Sequence, residues 1–442
     1  MQPPLIEMPA PVDLKDRPRG QGKARILKAD RQQIEMRAAA LDSLIGEDHK
    51  VRIIWAMVQN YNLQSFYERI EAVAGGAGRP AIDPAILIGL WLYATSEGVG
   101  SARALERLCS EHIAYQWIAG GVKVNYHTLA DFRVLCETEL DQLLSQSVAA
   151  LMSEGLVSLE RTAQDGVRIR ASAGSSSFRR KARLTDYLKV AQERVEQLKT
   201  EGQAEREALS RQAQEGRERA ARERVERVKQ ALEEIEKINE SKTKNHKKKS
   251  EQKEARSSTS DPQARVMKMP DGGFRPAYNG EFTVDVNSGV VVGVEATNQV
   301  DQGQMEPMLA QIEERYGHNP AEHLVDGGFV TVHDLEAAHQ RQVKVYAPVP
   351  KKQAPGLNPD AEAAGPGVQS WRERMQTEAA KTIYPQRSAS SEWVNAQARN
   401  RGLQQLRVRG MQKVRSILLW FALVHNLWVS LRLHASQQVG TV

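Results

Sequence analysis

From residue 157 onward, the hydrophobic pattern alternates between short strands and helices, and this order restricts the fold to a sheet with helices packed against it. The predicted strands lie at about 157–171, 282–286, 290–294, 323–326 and 343–348. The predicted helices lie at about 305–316, 331–340 and 390–434. Without a charged insertion that interrupts the strands, the order β, β, β, α, β, α, β, α predicts a mixed sheet with flanking helices, an α/β fold.

The insertion covers residues 183–257 and carries apolar residues at heptad spacing with charged residues between them. Gly202 and Gly216 interrupt this spacing, which predicts two antiparallel helices in a charged coiled-coil hairpin. One interpretation is a solvated insertion without chemistry, and the other is an arm for oligomerisation or DNA contact. Residues 350–380, rich in Ala, Gly, Pro and Lys, predict a linker or loose insertion.

The N-terminal third of the chain predicts a different kind of structure. Residues 1–40 are rich in Pro, Arg and Lys and predict a flexible basic arm, whereas 41–150 have helical apolar spacing and predict an all-α domain. Its helices are predicted to start at Asp83, at Ser101 and at a capping box that begins with Thr128. Short helices joined by glycine-containing turns indicate a helix-turn-helix-like module. Its candidates for DNA contact are Arg103, Arg107, Lys123 and Arg133.

The placement of charge favours a polyanionic partner such as nucleic acid. The 442 residues carry a net charge of +6, but residues 393–442 contain no Asp or Glu and hold seven Arg or Lys residues. A second basic cluster consists of Lys242, Lys244, Lys247, Lys248 and Lys249.

Two cysteines are too few for a disulfide framework, no Cys/His zinc pattern is present, and a reducing cytoplasm is the simplest expectation. The N-terminus shows no signal-peptide pattern. The most apolar segment, Ile417 to Leu431, contains His425, Asn426 and Ser430, so it predicts a buried core helix and not a membrane span. In that helix His425 is predicted to be a hydrogen-bonded core residue.

Three acidic residues in separate segments are the candidate metal ligands. Asp165 lies within the first predicted strand, Asp326 ends a short apolar run before Gly-Gly, and Glu392 begins the basic helical tail. Since 161 residues separate the first pair and 66 the second, only tertiary folding can bring them together. Carboxylates suit Mg²⁺ or Mn²⁺. Ordinary turn or helix-dipole roles are the alternative, and the competing acids Asp285 and Asp334 are predicted to lie at the surface.

The order of these motifs resembles the DDE transposases of bacterial insertion sequences. The resemblance is carried by Gln-Asp-Gly-Val-Arg-Ile-Arg-Ala around Asp165, Val-Asp-Gly-Gly-Phe around Asp326, and Tyr384-x2-Arg387-x4-Glu392. It extends to Tyr278-Asn279-Gly280, to Ala296-Thr297-Asn298 with Asp301, and to His425-Asn426-Leu427. A related group has Tyr-x2-Arg-x3-Glu-x6-Lys. Here one extra residue separates Arg387 from Glu392, and Arg399 takes the basic position, seven residues beyond Glu392.

The resemblance implies an RNase H-like catalytic domain over 151–182 and 258–434. It implies that Asp165, Asp326 and Glu392 hold two Mg²⁺ or Mn²⁺ ions. Such an enzyme cleaves DNA at the terminal inverted repeats of its element, transfers the strand into target DNA, and works as a homodimer in the bacterial cytoplasm, associated with the nucleoid and not with a membrane. Tyr384, Arg387 and Arg399 would contact phosphate near the acids.

Two other functions fit parts of the sequence. A repressor-like DNA-binding protein derived from a transposase would keep the basic surfaces and would not need the three acids. A coiled-coil scaffold would explain 183–257 but not the Asp-Gly motifs.

Overall fold

The structure is a computed structural model that describes residues 38–72, 80–200, 211–244, 254–349 and 365–439. Four parts of the sequence predictions lie outside the described residues. They are the arm up to residue 37, Gly202, the 350–364 part of the predicted linker, and the side chains of the lysine cluster at 242–249.

Seven helices form the first described part of the chain after a short 3₁₀ turn at Leu41–Leu44. They are α1 (Lys50–Asn60), α2 (Gln64–Tyr67), α3 (Pro84–Ser96), α4 (Ala102–Glu111), α5 (Ile113–Ala119), α6 (Tyr126–Leu135) and α7 (Glu137–Ser153). The caps at Asp83 and Ser101 are confirmed, since their side chains accept from the backbone N–H of Ala85 and Ala104. The cap predicted at Thr128 is wrong. Asn125 caps α6 and accepts from the Thr128 N–H at 2.9 Å, in keeping with the stronger N-cap preference of Asn.

The strands form a six-stranded mixed sheet and a separate two-stranded pair. The strands are β1 (Arg161–Arg170), β2 (Phe178–Arg179), β3 (Ser257–Ser258), β4 (Arg265–Lys268), β5 (Phe274–Asp285), β6 (Val291–Thr297), β7 (Glu322–Leu324) and β8 (Lys344–Tyr346). In the main sheet β1 lies between antiparallel β5 and parallel β7, β8 lies parallel to β7, and β4 and β6 pair with β5. The predicted mixed sheet is confirmed, whereas β4 and the first eight residues of β5 were not predicted.

The helices of this second part begin with α8 (Lys181–Thr200) and α9 (Arg211–Lys244) of the insertion. They continue with α10 (Met305–Tyr316), α11 (Val332–Gln340), α12 (Pro366–Met375), α13 (Glu378–Ile383), α14 (Trp393–Asn400) and α15 (Met411–Val439). A π-helical turn at Ser388–Glu392 leads directly into α14. The single helix predicted over 390–434 is therefore wrong. Gly402 and Gly410, with φ of +87° and +89°, take left-handed conformations that end α14 and precede α15.

Helix α15 is the central helix of the core. By length and composition it could span a membrane, but 83% of its apolar window is buried inside the protein. Phe421 packs on Phe282 of the sheet with ring centroids 5.2 Å apart, and Trp420 donates its indole N–H to the Arg133 carbonyl of α6. The predicted core helix is confirmed, and it joins the helical region and the sheet in one hydrophobic core.

In the insertion, α8 and α9 pack together through Leu184, Val228 and Ile235. The prediction of two helices agrees with this arrangement, but Gly216 lies inside α9 and does not interrupt it. The buried Glu234 of α9 forms an ion pair with Arg265 on β4. This contact ties the insertion to the edge of the main sheet.

The predicted loose segment is ordered structure from residue 365 onward. Helix α12 buries Val368 and Trp371, and the Trp371 indole N–H donates to the Ala347 carbonyl at 3.0 Å. The prediction is wrong here because Ala, Gly and Pro, which normally indicate a loop, start this helix. Pro366 occupies the first helical position, where its missing N–H costs nothing.

Asp285 and Asp334 are fully buried, so their predicted surface location is wrong. Asp285 accepts from the Ser288 N–H and hydroxyl and closes the β5–β6 turn. Asp334 accepts from the Glu306 N–H and the Thr331 hydroxyl, and links α10 to α11. A sheet covered on both faces buries both alternate rows of side chains, so alternation alone does not identify an exposed row.

Replacing Trp371 with Ala should lower the free energy of unfolding by about 3–5 kcal/mol, because it removes a fully buried ring and leaves a cavity. Replacing the exposed Glu373 of the same helix with Ala should change it by less than about 0.5 kcal/mol. Urea unfolding followed by circular dichroism measures both values. Equal effects of the two substitutions would mean that α12 does not pack on the sheet.

Candidate active site

Asp165 is a carboxylate in the middle of β1, on a face that is otherwise apolar. It pairs in register with Phe282 of β5, whose ring packs against α15. The side chain is only 19% exposed. Burial raises the Asp165 pKa to about 6, with Arg387 opposing the shift and Asp326 adding to it. The carboxylate therefore needs cationic or hydrogen-bonding partners to stay ionised at neutral pH.

Those partners come from the segment that follows α13. The Asn395 amide donates to Asp165 Oδ2 at 3.0 Å, and Arg387 Nη1 lies 3.6 Å from the same oxygen. The N–H of Gly166 donates to Oδ1 at 3.0 Å. A larger residue does not fit at position 166, because a Cβ on Gly166 would lie 2.7 Å from side-chain oxygens of Asn279 and Asp301.

Glu392 ends the π-helical turn and stays 58% exposed. The hydroxyls of Ser390 and Ser391 donate to the Arg387 carbonyl and widen this turn. Arg387 Nη2 lies 3.4 Å from Glu392 Oε1, five residues further on. Side chains three or four apart meet on an α-helix, whereas a π-turn brings the i and i+5 positions into line. The π-turn thus accommodates the extra residue between Arg387 and Glu392.

Asp326 follows β7, the parallel neighbour of β1. The register pairs Ala163 with Leu324, and each candidate aspartate lies two residues beyond its member of that pair. Asp326 lies two residues beyond the end of β7, next to Asp165 on β1, and neighbouring strands are about 4.8 Å apart. Asp326 is partly exposed, and its Oδ1 accepts from the Gly328 N–H at 2.6 Å.

The structure thus brings Asp165, Asp326 and Glu392 to one side of the sheet, with Arg387 between the first and the last. The backbone N–H of Arg387 donates to the Tyr384 carbonyl at 3.1 Å, and burial raises the Tyr384 pKa. The other candidate residues lie elsewhere. Arg399 lies about 10 Å further along the helix axis from Glu392 and lines a separate cleft with Arg103 and Arg133. Arg107 pairs with Glu111 on α4, and Lys123 is exposed.

A buried polar network behind the acids was not found from the sequence. Glu281 of β5 accepts from the Gln164 amide at 3.1 Å and from the Asn279 amide at 2.6 Å. Gln164 also contacts His323, which contacts the Thr162 hydroxyl. The sequence does contain a signal for this network. Every second residue is polar at 162 and 164 of one strand and at 279, 281 and 283 of its neighbour.

Burial shifts the pKa values of two groups in this network, Glu281 and His323. It raises the Glu281 pKa to about 8, and the neighbouring charge of Asp301 acts in the same direction. It lowers the His323 pKa to about 3, so this imidazole is neutral. Both groups are therefore uncharged at neutral pH, and the network is held by hydrogen bonds without net charge.

The residues present fit a hard divalent cation by their chemistry. The donor atoms nearby are oxygens, and the buried Asn395 Oδ1 has no hydrogen-bond partner among the described residues. Among the residues that the structure describes, no group of three His, Cys, Asp or Glu side chains has metal-binding geometry. Arg387 instead holds Asp165 and Glu392 through its own positive charge, so a metal ion would have to replace that contact.

His425, predicted as a core residue, is 1% exposed and bonds the Gly289 carbonyl through Nε2 at 2.9 Å. Burial lowers its pKa to about 4. His425 is therefore a neutral packing residue of α15, as the sequence predicts.

Two family models match the chain. A transposase domain (DUF772) matches residues 39–135, which include α1 to α6. A transposase DDE domain matches residues 361–430, which include Tyr384, Arg387, Glu392 and Arg399. Neither match reaches Asp165 or Asp326. No curated protein and no solved structure shows significant similarity to the chain.

The Glu281→Gln substitution should remove a pH-dependent loss of stability. Because folding raises the Glu281 pKa from 4.5 to about 8, its contribution is fully present below about pH 4.5 and is lost as pH rises through about 8. In that window wild-type protein should lose up to about 1.4 kcal/mol per pH unit more than the variant, which lacks the Glu281 contribution.

Urea unfolding at several pH values measures this difference, with Glu373→Gln, an exposed acid, as the matched control. A stability difference between wild type and Glu281→Gln that stays constant from about pH 5 to about pH 9 would contradict the assigned ionisation.

Proposed function

The chain belongs to the DDE transposases of insertion sequences, and we propose that it binds the ends of its element, cleaves a DNA strand and transfers it into target DNA with divalent metal ions. The observation that carries this proposal is the contact of one guanidinium, Arg387, with both Asp165 and Glu392. These acids come from a strand and a helix far apart in sequence, and the third acid, Asp326, lies two residues beyond the end of the neighbouring strand.

The sheet supports an RNase H-like catalytic domain. A long antiparallel β1–β5–β6 unit is followed by short strands β7 and β8 parallel to β1. This arrangement places Asp165 on the central strand and Asp326 at the carboxyl end of β7, where ligands gather in sheets of this kind. The proposed catalytic domain comprises residues 151–182 and 258–434, and the proposed helical DNA-binding domain comprises residues 41–150.

Two Mg²⁺ or Mn²⁺ ions, held by Asp165, Asp326 and Glu392, would activate the attacking hydroxyl and stabilise charge on the phosphate. At about 4 Å, two ionised carboxylates repel by about 4 kcal/mol at an effective dielectric constant of 20. Arg387 offsets this repulsion in the structure described here. With cations bound, its guanidinium is available to hold a phosphate oxygen, which its planar pair of donors suits.

The remaining residues position these groups. Asn395 fixes Oδ2 of Asp165, and the N–H of Gly328 fixes Oδ1 of Asp326. Tyr384 precedes Arg387 by three residues and accepts its backbone N–H. Behind them the neutral Glu281 network holds β1 and β5 in register without adding charge to the site.

The proposed partners are double-stranded DNA at the terminal inverted repeats and at the target site. A homodimer would bring the two ends together, in the bacterial cytoplasm and in association with the nucleoid. The alternative, a repressor-like DNA-binding protein derived from a transposase, would bind the same DNA without cleaving it.

The Asp165→Asn substitution should lower the rate of Mg²⁺-dependent cleavage of element-end DNA by at least about a hundredfold, because several kcal/mol of charge stabilisation are lost. Asp271→Asn is the matched control, since Asp271 is an exposed aspartate that pairs with Arg275 and accepts from the Gly273 N–H on the β4–β5 turn. Gel analysis of labelled duplexes measures the rates. Equal rates for wild type and Asp165→Asn would exclude this active site, and DNA binding without any cleavage would favour the repressor.

Addition of Mg²⁺ should raise the melting temperature of the wild-type protein without DNA. At about ten times the dissociation constant, binding stabilises the folded state by about 1.4 kcal/mol, which corresponds to a few degrees. Asp165→Asn should show a smaller shift, whereas Asp271→Asn should match wild type in differential scanning fluorimetry. An identical Mg²⁺ response in all three proteins would place the metal elsewhere.

A further inference from the structure

A cleft of about 1020 Å³ lies on the side of α4 and α6, between the helical region and the residues that follow α14. Its walls come from the α3–α4 turn, from α4 and α6, from the segment 399–408, and from the last residue of β1. Six arginines line it: Arg103, Arg133, Arg170, Arg399, Arg401 and Arg407.

The charge in this cleft is not balanced within the described part of the chain. Glu97 is the acid among the lining residues, and it already forms an ion pair with Lys50. None of the six arginines has an ion-pair partner among the residues that the structure describes. Burial, together with the charge of Arg407, lowers the Arg133 pKa to about 10. A cluster of this kind attracts a polyanion.

Two guanidinium groups in the cleft have buried N–H groups without acceptors in the described structure, namely Arg133 Nε and Arg401 Nη1. Arg133 is held in place, since it stacks on Trp91 at 4.4 Å and donates to the Gly100 carbonyl at 2.7 Å. Buried donors are normally satisfied. An anion in the cleft would supply the missing acceptors.

The cleft is joined to the strand that carries Asp165. The Arg170 N–H donates to the Gln404 carbonyl at 3.1 Å, and the Leu406 N–H donates to the Arg170 carbonyl at 2.8 Å. Gly402, with φ +87°, approaches Gly98 so closely that a Cβ would lie 3.2 Å from its carbonyl oxygen. The 401–410 segment is therefore fixed against both β1 and the α3–α4 turn.

The geometry gives the distance from this cleft to the acids. Five residues of β1 separate Asp165 from Arg170, a length of about 17 Å at the rise of a strand. The same length corresponds to about five base pairs of duplex DNA. An open cleft with six cations matches a run of phosphates in a polymer better than one small anion.

We infer that this cleft binds the sugar-phosphate backbone of duplex DNA about five base pairs from the phosphate that lies at Asp165. The inference rests on the proposed function. The cleft holds DNA through phosphate contacts, independently of base sequence, and it couples the helical region to the catalytic strand. Arg401 and Arg407, which the sequence analysis did not single out, are the main phosphate-binding residues.

The test compares Arg401→Gln/Arg407→Gln with Arg409→Gln in metal-free protein. Arg409 lies in the same segment and is exposed, but it does not line the cleft, and its side chain bonds the Ser172 carbonyl. Fluorescence anisotropy measures the affinity for a 30-base-pair duplex of arbitrary sequence between about 50 and about 200 mM salt. The double variant should bind at least about tenfold more weakly, with a log–log salt slope smaller by about 2. Arg409→Gln should bind like wild type.

Four outcomes overturn a claim. Wild-type protein that does not bind duplex DNA would refute the proposed function itself. Wild-type binding that the double variant retains in full would refute the cleft alone. Equal losses for the double variant and Arg409→Gln would indicate a general basic surface in place of the cleft. Competition by inorganic phosphate at equal phosphate concentration would indicate a small-anion site. Unfolding midpoints of all variants that equal the wild-type midpoint establish that folding is not the cause.

Discussion

The candidate active site depends on a carboxylate in the middle of the central strand, between the apolar side chains of Ala163 and Val167. Asp165 pairs with Phe282 and faces the elements that cover this side of the sheet, so its ionised form is poorly solvated. The polar groups that approach it, Arg387 and Asn395, compensate for that burial. Both come from the segment around the π-turn, which therefore has to dock on β1. These two contacts hold the segment around the π-turn against β1, whereas α15 is held by its hydrophobic core.

The opposite face of the sheet also buries polar side chains, and hydrogen bonds satisfy them. Glu281, Gln164 and His323 are buried, and hydrogen bonds connect them across β5, β1 and β7. Burial keeps Glu281 protonated and His323 neutral near pH 7. A neutral network can lie directly behind three acids, whereas a second set of ionised groups would increase the repulsion among them. The two faces of β1 therefore differ next to Asp165: this carboxylate and Arg387 lie on one face, and the Glu281–Gln164–His323 network lies on the other.

Helix α15 and the segment before it connect the helical region to the sheet that carries Asp165. Trp420 bonds α6, Phe421 packs on the sheet, and the 401–410 segment is hydrogen-bonded to Arg170 at the end of β1. The helical region and the sheet consequently share one core. In the proposed enzyme, DNA held by the arginine cleft would have a defined position relative to Asp165, because the elements between them are strands and packed helices.

The sequence alone determined the order of the larger elements up to residue 348, the mixed sheet, the caps at Asp83 and Ser101, the core role of α15, and the three candidate acids with the family they resemble. Local periodicity and turn chemistry encode these features. Only the tertiary structure decided the burial of Asp285 and Asp334, the helix within the expected linker and the break between α14 and α15. The same holds for the Glu281 network, the π-turn at Glu392 and the arginine cleft. Each of these depends on which faces become covered and which distant segments meet. Such contacts arise from packing between elements, and the pattern within any one element does not contain them.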